Sequence, residues 1–283
     1  MLKHSTALKK DKIDSIAIGV FDGFHLGHKQ LTDRLSKNGA ILIIYKEKAN
    51  ITPGFSRERF TKFPCIFMKF SSIKDLDCKE FVTLLMSEFP NLQKIVIGYD
   101  FKFGANRSCD IFDLKQIFKG KIVVVDEFFL DGDSVHSSKI REYIQNGKIK
   151  KANRLLGREF SISGKVIKGQ GIGSKELVPT LNIDIKNYIM PKHGVYITKT
   201  KIGEKIYKSV TFVGLRKSTD TKFSCETHVI GENISNTNEV EIFFVDFIRE
   251  NRKFTSLSEL KKVISDDIDV ANSYFYTSDH QIV

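Results

Sequence analysis

Two histidines three positions apart, His25 and His28, share the stretch FDGFHLGH (21–28) with Gly23 and Gly27, directly behind the apolar run IAIGV (16–20). Imidazoles at that spacing suit a metal or an anion. The metalloprotease pattern needs H-E-x-x-H, and Asp22 is the one acidic neighbour, so zinc is disfavoured. Phosphate suits the stretch better. Gly27 removes a side chain where backbone must approach a ligand, and both histidines can donate to phosphate oxygens as negative charge builds up.

Two other stretches carry chemistry. In GKVIKGQGIGSKELVPTLNID (164–184), Gly169, Gly171 and Gly173 alternate ahead of Thr180 and Asn182. This is not the dinucleotide fingerprint G-x-G-x-x-G, because position 174 is serine and the next segment lacks helical periodicity. A flexible barrel loop explains the glycines equally well, and Thr180 and Asn182 also suit a turn. Glu226, in FSCETHV (223–229), is a carboxylate on an alternating run, where a solvated side chain is the ordinary reading.

The elements that must position these residues change character along the chain. IAIGV (16–20), ILIIY (41–45), CIFMKF (65–70), KIVIG (94–98) and KIVVV (121–125) are continuous and rich in β-branched residues, as fully buried strands are. Between them, HKQLTDRLSK, CKEFVTLLMSEF and IFDLKQIF place apolar residues three or four apart. The alternation predicts a parallel sheet flanked by helices, with FDGFHLGH between the first strand and its helix. A charged helical stretch, 137–157, ends at Gly157. Beyond it, runs such as GVYITKTKIG and EVEIFFVDFIR predict a small antiparallel barrel, followed by a helix over 256–267 that opens with the Ser256 and Glu259 capping-box spacing. Two domains are expected, 1–157 and 158–283.

Composition excludes several classes. With 41% hydrophobic and 28% charged residues the 283-residue chain is an ordinary globular protein. No stretch reaches the ~18 apolar residues of a membrane span, so no membrane partner is expected. The formal charge of +11 could attract nucleic acid or small polyanions; the lysines are scattered, and no nucleic-acid partner is expected. Cys65, Cys78, Cys109 and Cys225 lie far apart without a C-x-x-C pair, so neither a disulfide framework nor a zinc knuckle is expected, and a reduced, cytoplasmic protein is the default.

The first stretch resembles the H-x-G-H signature of the nucleotidyltransferase superfamily. In its wider form, Gly19, Phe21, Asp22, Gly23, His25, Gly27 and His28 match the adenylyltransferase half of bacterial bifunctional riboflavin kinase/FAD synthetases. IGYDFKFGANRSCD (97–110) resembles that family's G-x-D-F-x-F-G-x-x-R-x-G-D segment, with Cys109 in place of a glycine. HSSKIR (136–141) resembles its S-S-T-x-I-R phosphate clamp through Ser137, Ser138 and Arg141, with His136 in place of the first serine. PTLN (179–182) and ETH (226–228) resemble the riboflavin kinase motifs, although Leu177 and Val178 depart from the usual Gly-Phe and the Pro-Thr expected beyond Gly214 is absent.

The resemblance implies a Rossmann-like nucleotidyltransferase domain, a kinase barrel, and ATP, riboflavin and FMN as substrates with Mg²⁺. It implies His25, His28 and Arg141 as stabilisers of transferring phosphate. Gly19, Phe21, Asp22, Gly23, Gly27, Ser137, Ser138, Gly169, Gly171 and Gly173 would bind nucleotide phosphates, and Asp100, Phe101 and Phe103 would border a base or flavin pocket. Thr180 and Asn182 would hold the metal, and Glu226 would act as general base. Two rival readings are an FAD synthetase whose barrel binds flavin without phosphorylating it, and a basic nucleic-acid-binding protein.

Overall fold

The computed structural model describes residues 3–4, 9–46, 50–168, 178–215, 223–234 and 237–280. The chain divides into two compact units, Met1–Ser137 and Ser138–Val283.

In the first unit the apolar runs become strands β2 (Ser15–Gly19), β3 (Gly39–Tyr45), β4 (Cys65–Lys69), β5 (Lys94–Gly98) and β6 (Lys121–Val125), preceded by a two-residue β1 (Lys3–His4). The sheet order is β1-β4-β3-β2-β5-β6, with β1 antiparallel to β4 and every other pairing parallel. A parallel sheet is covered on both faces, so its strands must be apolar on both. Successive side chains accordingly enter different cores: Ile16 and Ile18 pack with Phe81 and Leu85, while Ala17 packs with Phe21 and Ile41. Helices α1 (Leu26–Thr32), α2 (Cys78–Glu88) and α3 (Ile111–Ile117) follow β2, β4 and β5. Capping boxes, Asp77 with Glu80 and Asp110 with Asp113, start α2 and α3.

Strand order decides where a ligand can sit. The chain steps from β2 outward to β3 and β4, then returns to lay β5 on the other side of β2. Loops leaving the carboxyl ends of β2 and β5 therefore diverge and open a crevice, the place where open parallel sheets bind ligands. Those loops carry FDGFHLGH and DFKFGANRSCD.

One expectation is overturned. Cys78, the first residue of α2, and Cys109, in the loop after β5, form a disulfide with Cα atoms 6.0 Å apart. Their spacing conceals the pair, because α2 and the loop meet only once the sheet has formed. Cys65 and Cys225 are buried and free.

A short hairpin of β7 (Phe129–Leu130) and β8 (Asp133–Ser134) closes the first unit. Helix α4 (Ser137–Gln145) starts on the last residue of the first unit and continues into the second, where α5 (Ile149–Leu156) ends on Gly157 in the left-handed conformation (φ 70°). Asn153 ties α5 to the barrel, donating to the Phe244 carbonyl (2.8 Å) and accepting from the Phe160 amide (2.7 Å).

The barrel strands are β9 (Phe160–Ile167), β10 (Leu181–Asp184), β11 (Gly194–Ile202), β12 (Lys205–Leu215), β13 (Phe223–Val229) and β14 (Glu239–Glu250). They close in the order β10-β13-β12-β11-β14-β9, which leaves no free sheet edge. The final helix, α6 (Leu257–His280), runs beyond the expected 256–267 because Ile268, Ala271 and Phe275 continue an apolar stripe that packs on Val195, Ile197, Val210 and Val245. The parallel-sheet domain, the antiparallel barrel and the terminal helix all stand as expected.

Candidate active sites

The first site is built on a strained turn. Phe21 (φ 53°) and Phe24 (φ 44°) hold left-handed backbone conformations around Gly23 (φ 86°). Bulky residues keep such angles only where surrounding contacts over-determine them. Asp22, 1% exposed, supplies those contacts: its carboxylate accepts the amides of Asn50 (3.2 Å), Ile51 (3.0 Å) and Thr52 (3.0 Å). The Gly23 amide in turn donates to the Thr52 hydroxyl at 2.8 Å. Asp22 is thus engaged by three backbone amides, and Phe21 is a core residue whose ring lies 5.0 Å from that of His28.

His25 is the N-cap of α1, where its Nδ1 accepts the His28 amide at 3.3 Å. The two imidazoles stack, with centroids 3.5 Å apart and planes 18° from parallel. Gly27 has a local reason to be glycine, since a Cβ there would meet the Val135 carbonyl oxygen at 2.9 Å and the His25 ring at 3.2 Å. Its close backbone approach is to the segment 135–137 of the same unit. Gly19 likewise leaves room for the Phe21 ring, which a Cβ there would meet at 3.1 Å.

That segment is bonded directly to the turn. Ser137, the first residue of α4, donates its hydroxyl to the Asp22 carbonyl at 2.7 Å, so this hydroxyl orders the site. Ser138 is exposed, and Arg141 is half-buried one turn further along α4. In the loop after β5 of the first unit, Asp100 is exposed, Phe101 half-buried, and Phe103 lies in the core against Phe81 (5.4 Å between rings). Cys109 exchanges two backbone hydrogen bonds with Phe103, each 3.0 Å, and its sulfur would lie 2.5 Å from a Cβ at Gly104 (φ 74°). The disulfide therefore anchors the loop that carries Asp100, Phe101 and Phe103.

In the barrel, register joins two motifs. Asn182 on β10 lies directly opposite Glu226 on β13, so both side chains share one face, and Phe212 on β12 is the next residue in that row. Glu226 accepts the Ser224 hydroxyl at 2.7 Å, and His228 Nδ1 donates to the Pro179 carbonyl at 2.8 Å, which holds the chain entering Thr180 and Asn182. Thr180 and Asn182 are half-buried. Gly169, Gly171 and Gly173, with Leu177, lie outside the described residues.

Three further groups carry no predicted role, one of them built on the His136 of HSSKIR. Arg57 is wholly buried beside the FDG turn, and burial pushes its guanidinium below its ordinary range while the Asp22 charge opposes the shift. A local run of charged residues, RER, gives no hint of it. At the carboxyl ends of β5 and β6, His136 Nε2 lies 3.2 Å from the Tyr99 hydroxyl and 3.1 Å from Glu127 Oε1. Hydrogen bonds from Ser134 and His136 hold the Glu127 carboxyl below its usual range. Inside the barrel, Thr198, Thr200, Ser209, Thr211 and Thr227 are wholly buried and hydrogen-bond one another. The alternation of Thr198 and Thr200 along β11 was the available signal.

Comparison with known proteins covers both units. The family model described as riboflavin kinase matches residues 156–275. The bifunctional riboflavin kinase/FMN adenylyltransferase of Buchnera aphidicola subsp. Schizaphis graminum is 31% identical over 95% of this chain and 96% of its own length. That of Bacillus subtilis is 28% identical over 95% of each chain. A crystal structure described as a macrolide-efflux protein from Streptococcus pneumoniae superposes with a TM-score of 0.80 at 25% identity, covering 92% of this chain and 94% of that one. No helix among the described residues is long and apolar enough to cross a membrane. Identity that persists from the switch-point turn through the closed barrel makes this chain a member of the bifunctional riboflavin kinase/FMN adenylyltransferase family.

Proposed function

We propose that the chain makes FAD in two ATP-dependent steps, with riboflavin phosphorylation in residues 158–283 and adenylyl transfer to FMN in residues 1–157. The observation that carries the reading is the presence of both chemistries on one chain: stacked imidazoles at the switch point of a parallel sheet, and Asn182 opposite Glu226 on a closed barrel. In the kinase step Glu226 takes the proton of the riboflavin 5′-hydroxyl, whose oxygen attacks the γ-phosphorus of ATP as ADP leaves. The Thr180 hydroxyl and the Asn182 amide oxygen are hard donors suited to Mg²⁺. No cluster of three His, Cys, Asp or Glu exists among the described residues, which fits a cation that keeps waters and substrate phosphates as ligands. Bound there, Mg²⁺ supplies charge neutralisation to the transferring phosphate.

In the second step an FMN phosphate oxygen attacks the α-phosphorus of ATP in line, and pyrophosphate leaves. His25 and His28 donate to the oxygens that gain charge, and Ser138 and Arg141 hold phosphate, Arg141 through its planar fork. Asp100 and Phe101 border the flavin, over the anchored Phe103. Chemistry that draws on cellular ATP belongs in the cytoplasm.

Incubation of the pure protein with riboflavin and Mg-ATP, with products separated by chromatography, tests both halves. FMN followed by FAD is expected. Conversion only when FMN is supplied refutes the kinase assignment, and failure to make FAD from FMN refutes the other.

A further inference from the structure

We propose that Arg57 is a positioning residue for adenylyl transfer: it holds the FDG turn in the strained conformation that presents His25 and His28. The assignment rests on the proposed chemistry of residues 1–157.

Arg57 is the largest wholly buried side chain among the described residues. Its Nε donates to the Thr52 carbonyl at 3.1 Å and its Nη1 to the Val20 carbonyl at 2.9 Å. One rigid fork thus spans two segments far apart in the chain, the residue that leaves β2 and the loop after β3. Asp22 and Gly23 stitch the same two segments through Ile51 and Thr52. The Arg57 cation and the Asp22 carboxylate also oppose each other in charge. Its Nη2 is buried and has no hydrogen-bond partner among the described residues.

That last fact argues against a packing role. A buried guanidinium with an unsatisfied nitrogen is a costly way to fill space, and apolar side chains replacing such a cation together with its charge partner are often neutral or better for stability. What methionine cannot do is hold two carbonyls at a fixed separation, and lysine can hold only a point contact. Val20 and Thr52 are the residues whose separation matters, because Val20 precedes Phe21 (φ 53°) and Thr52 receives Gly23. The turn ends at Phe24 (φ 44°), and the next residue, His25, caps α1 and stacks on His28. With the fork removed, Phe21 and Phe24 can relax towards ordinary angles, and the imidazoles move with them.

The test uses the full chain with Arg57→Met and Arg57→Lys, measuring kcat and KM for ATP in FAD synthesis from FMN, riboflavin phosphorylation, and the unfolding midpoint. A misplacement of ~1 Å costs about a hundredfold in rate, so Arg57→Met should lose about that factor in kcat. Its KM for ATP and its kinase rate should hold; the unfolding midpoint should fall, because Asp22 loses its buried counter-charge, so rates are compared at a temperature where wild type and variant are both folded. Arg57→Lys, which keeps one contact, should recover about tenfold of the loss. Adenylyl transfer by Arg57→Met within about threefold of wild type overturns the proposal, as does a loss that merely tracks the unfolded fraction in both variants. If Arg57→Met does not fold, Arg57→Lys decides: a reduced kcat in folded protein supports the assignment, and an unchanged one overturns it. A wild type that makes no FAD from FMN overturns the underlying reading instead, and is seen before any variant is compared.

Discussion

Removing the Cys78–Cys109 crosslink should destabilise the first unit by an amount that can be worked out in advance. The two residues are 31 positions apart, and Cys109 pairs with Phe103 in the loop that lines the crevice. Closing a loop of about that length removes ~12 cal/mol/K from the unfolded chain in the chain-entropy treatment, or about 3.7 kcal/mol at 25 °C. For a unit of this size, unfolding with ~2.1 cal/mol/K per residue, the loss converts to a fall of about 13 °C in Tm. The perturbation is Cys78→Ser with Cys109→Ser, which leaves no odd thiol. Differential scanning calorimetry follows the first unit's transition, with amide exchange in β5 and α2 as a local check. Wild type treated with reductant should fall by the same amount, and reductant should leave the double variant unmoved. Two results refute the reasoning: a shift under about 3 °C, or four alkylatable thiols in unreduced, unfolded wild type, since the oxidised chain should show only Cys65 and Cys225.

The remaining predictions use single side chains. His28→Ala should abolish FAD formation from FMN and leave riboflavin phosphorylation, whereas Glu226→Gln should lower phosphorylation at least about a hundredfold and leave adenylyl transfer, both read by separating products. Loss of both activities from either variant in folded protein would contradict two separate sites. Arg249 grips Asp267 through two bonds of 2.8 Å, and burial alone would push that carboxyl up. Arg249→Met should therefore cost the barrel and its helix about 3 kcal/mol in urea unfolding at pH 7, with a milder loss in Arg249→Met/Asp267→Leu. Because the raised Asp267 favours the protonated form, lowering the pH towards 4 should shrink the single variant's deficit; a constant deficit would contradict the cause named here. Burial also pushes the Cys65 thiol up to about 12, so iodoacetamide at pH 8 should leave it unmodified in the folded protein, as followed by mass spectrometry.

The interior of the barrel bears on how that unit is specified. Five hydroxyl side chains bond one another where apolar residues would normally meet, and each keeps a partner only in the closed register. A slip of one residue would turn the whole set towards the outer face, exposing Val195 and Ile197 positions to the interior instead. A buried hydroxyl left without its partner costs about 1–3 kcal/mol, so the ladder penalises wrong registers more than it stabilises the right one.

The sequence by itself determined the elements and the local chemistry. Continuous β-branched runs announce strands buried on both faces, and the glycine and histidine spacing of FDGFHLGH describes a turn between neighbours in the chain. These are short-range properties, and composition and periodicity carry them. Pairings between distant residues are different. Asn182 and Glu226 were each recognisable, but only barrel register sets them face to face. Cys78 and Cys109 look unrelated until α2 and the β5 loop meet over the sheet. Arg57, flanked by Glu58 and Arg59, reads as part of a solvated charged run, and only the loop's path across the end of β2 buries it. Tertiary structure also assigned Ser137 and Asp22 to each other. The physical reason is common to all of these: burial and partner choice depend on where a segment lands, and that is decided by the packing of the whole sheet or barrel, not by the residues on either side.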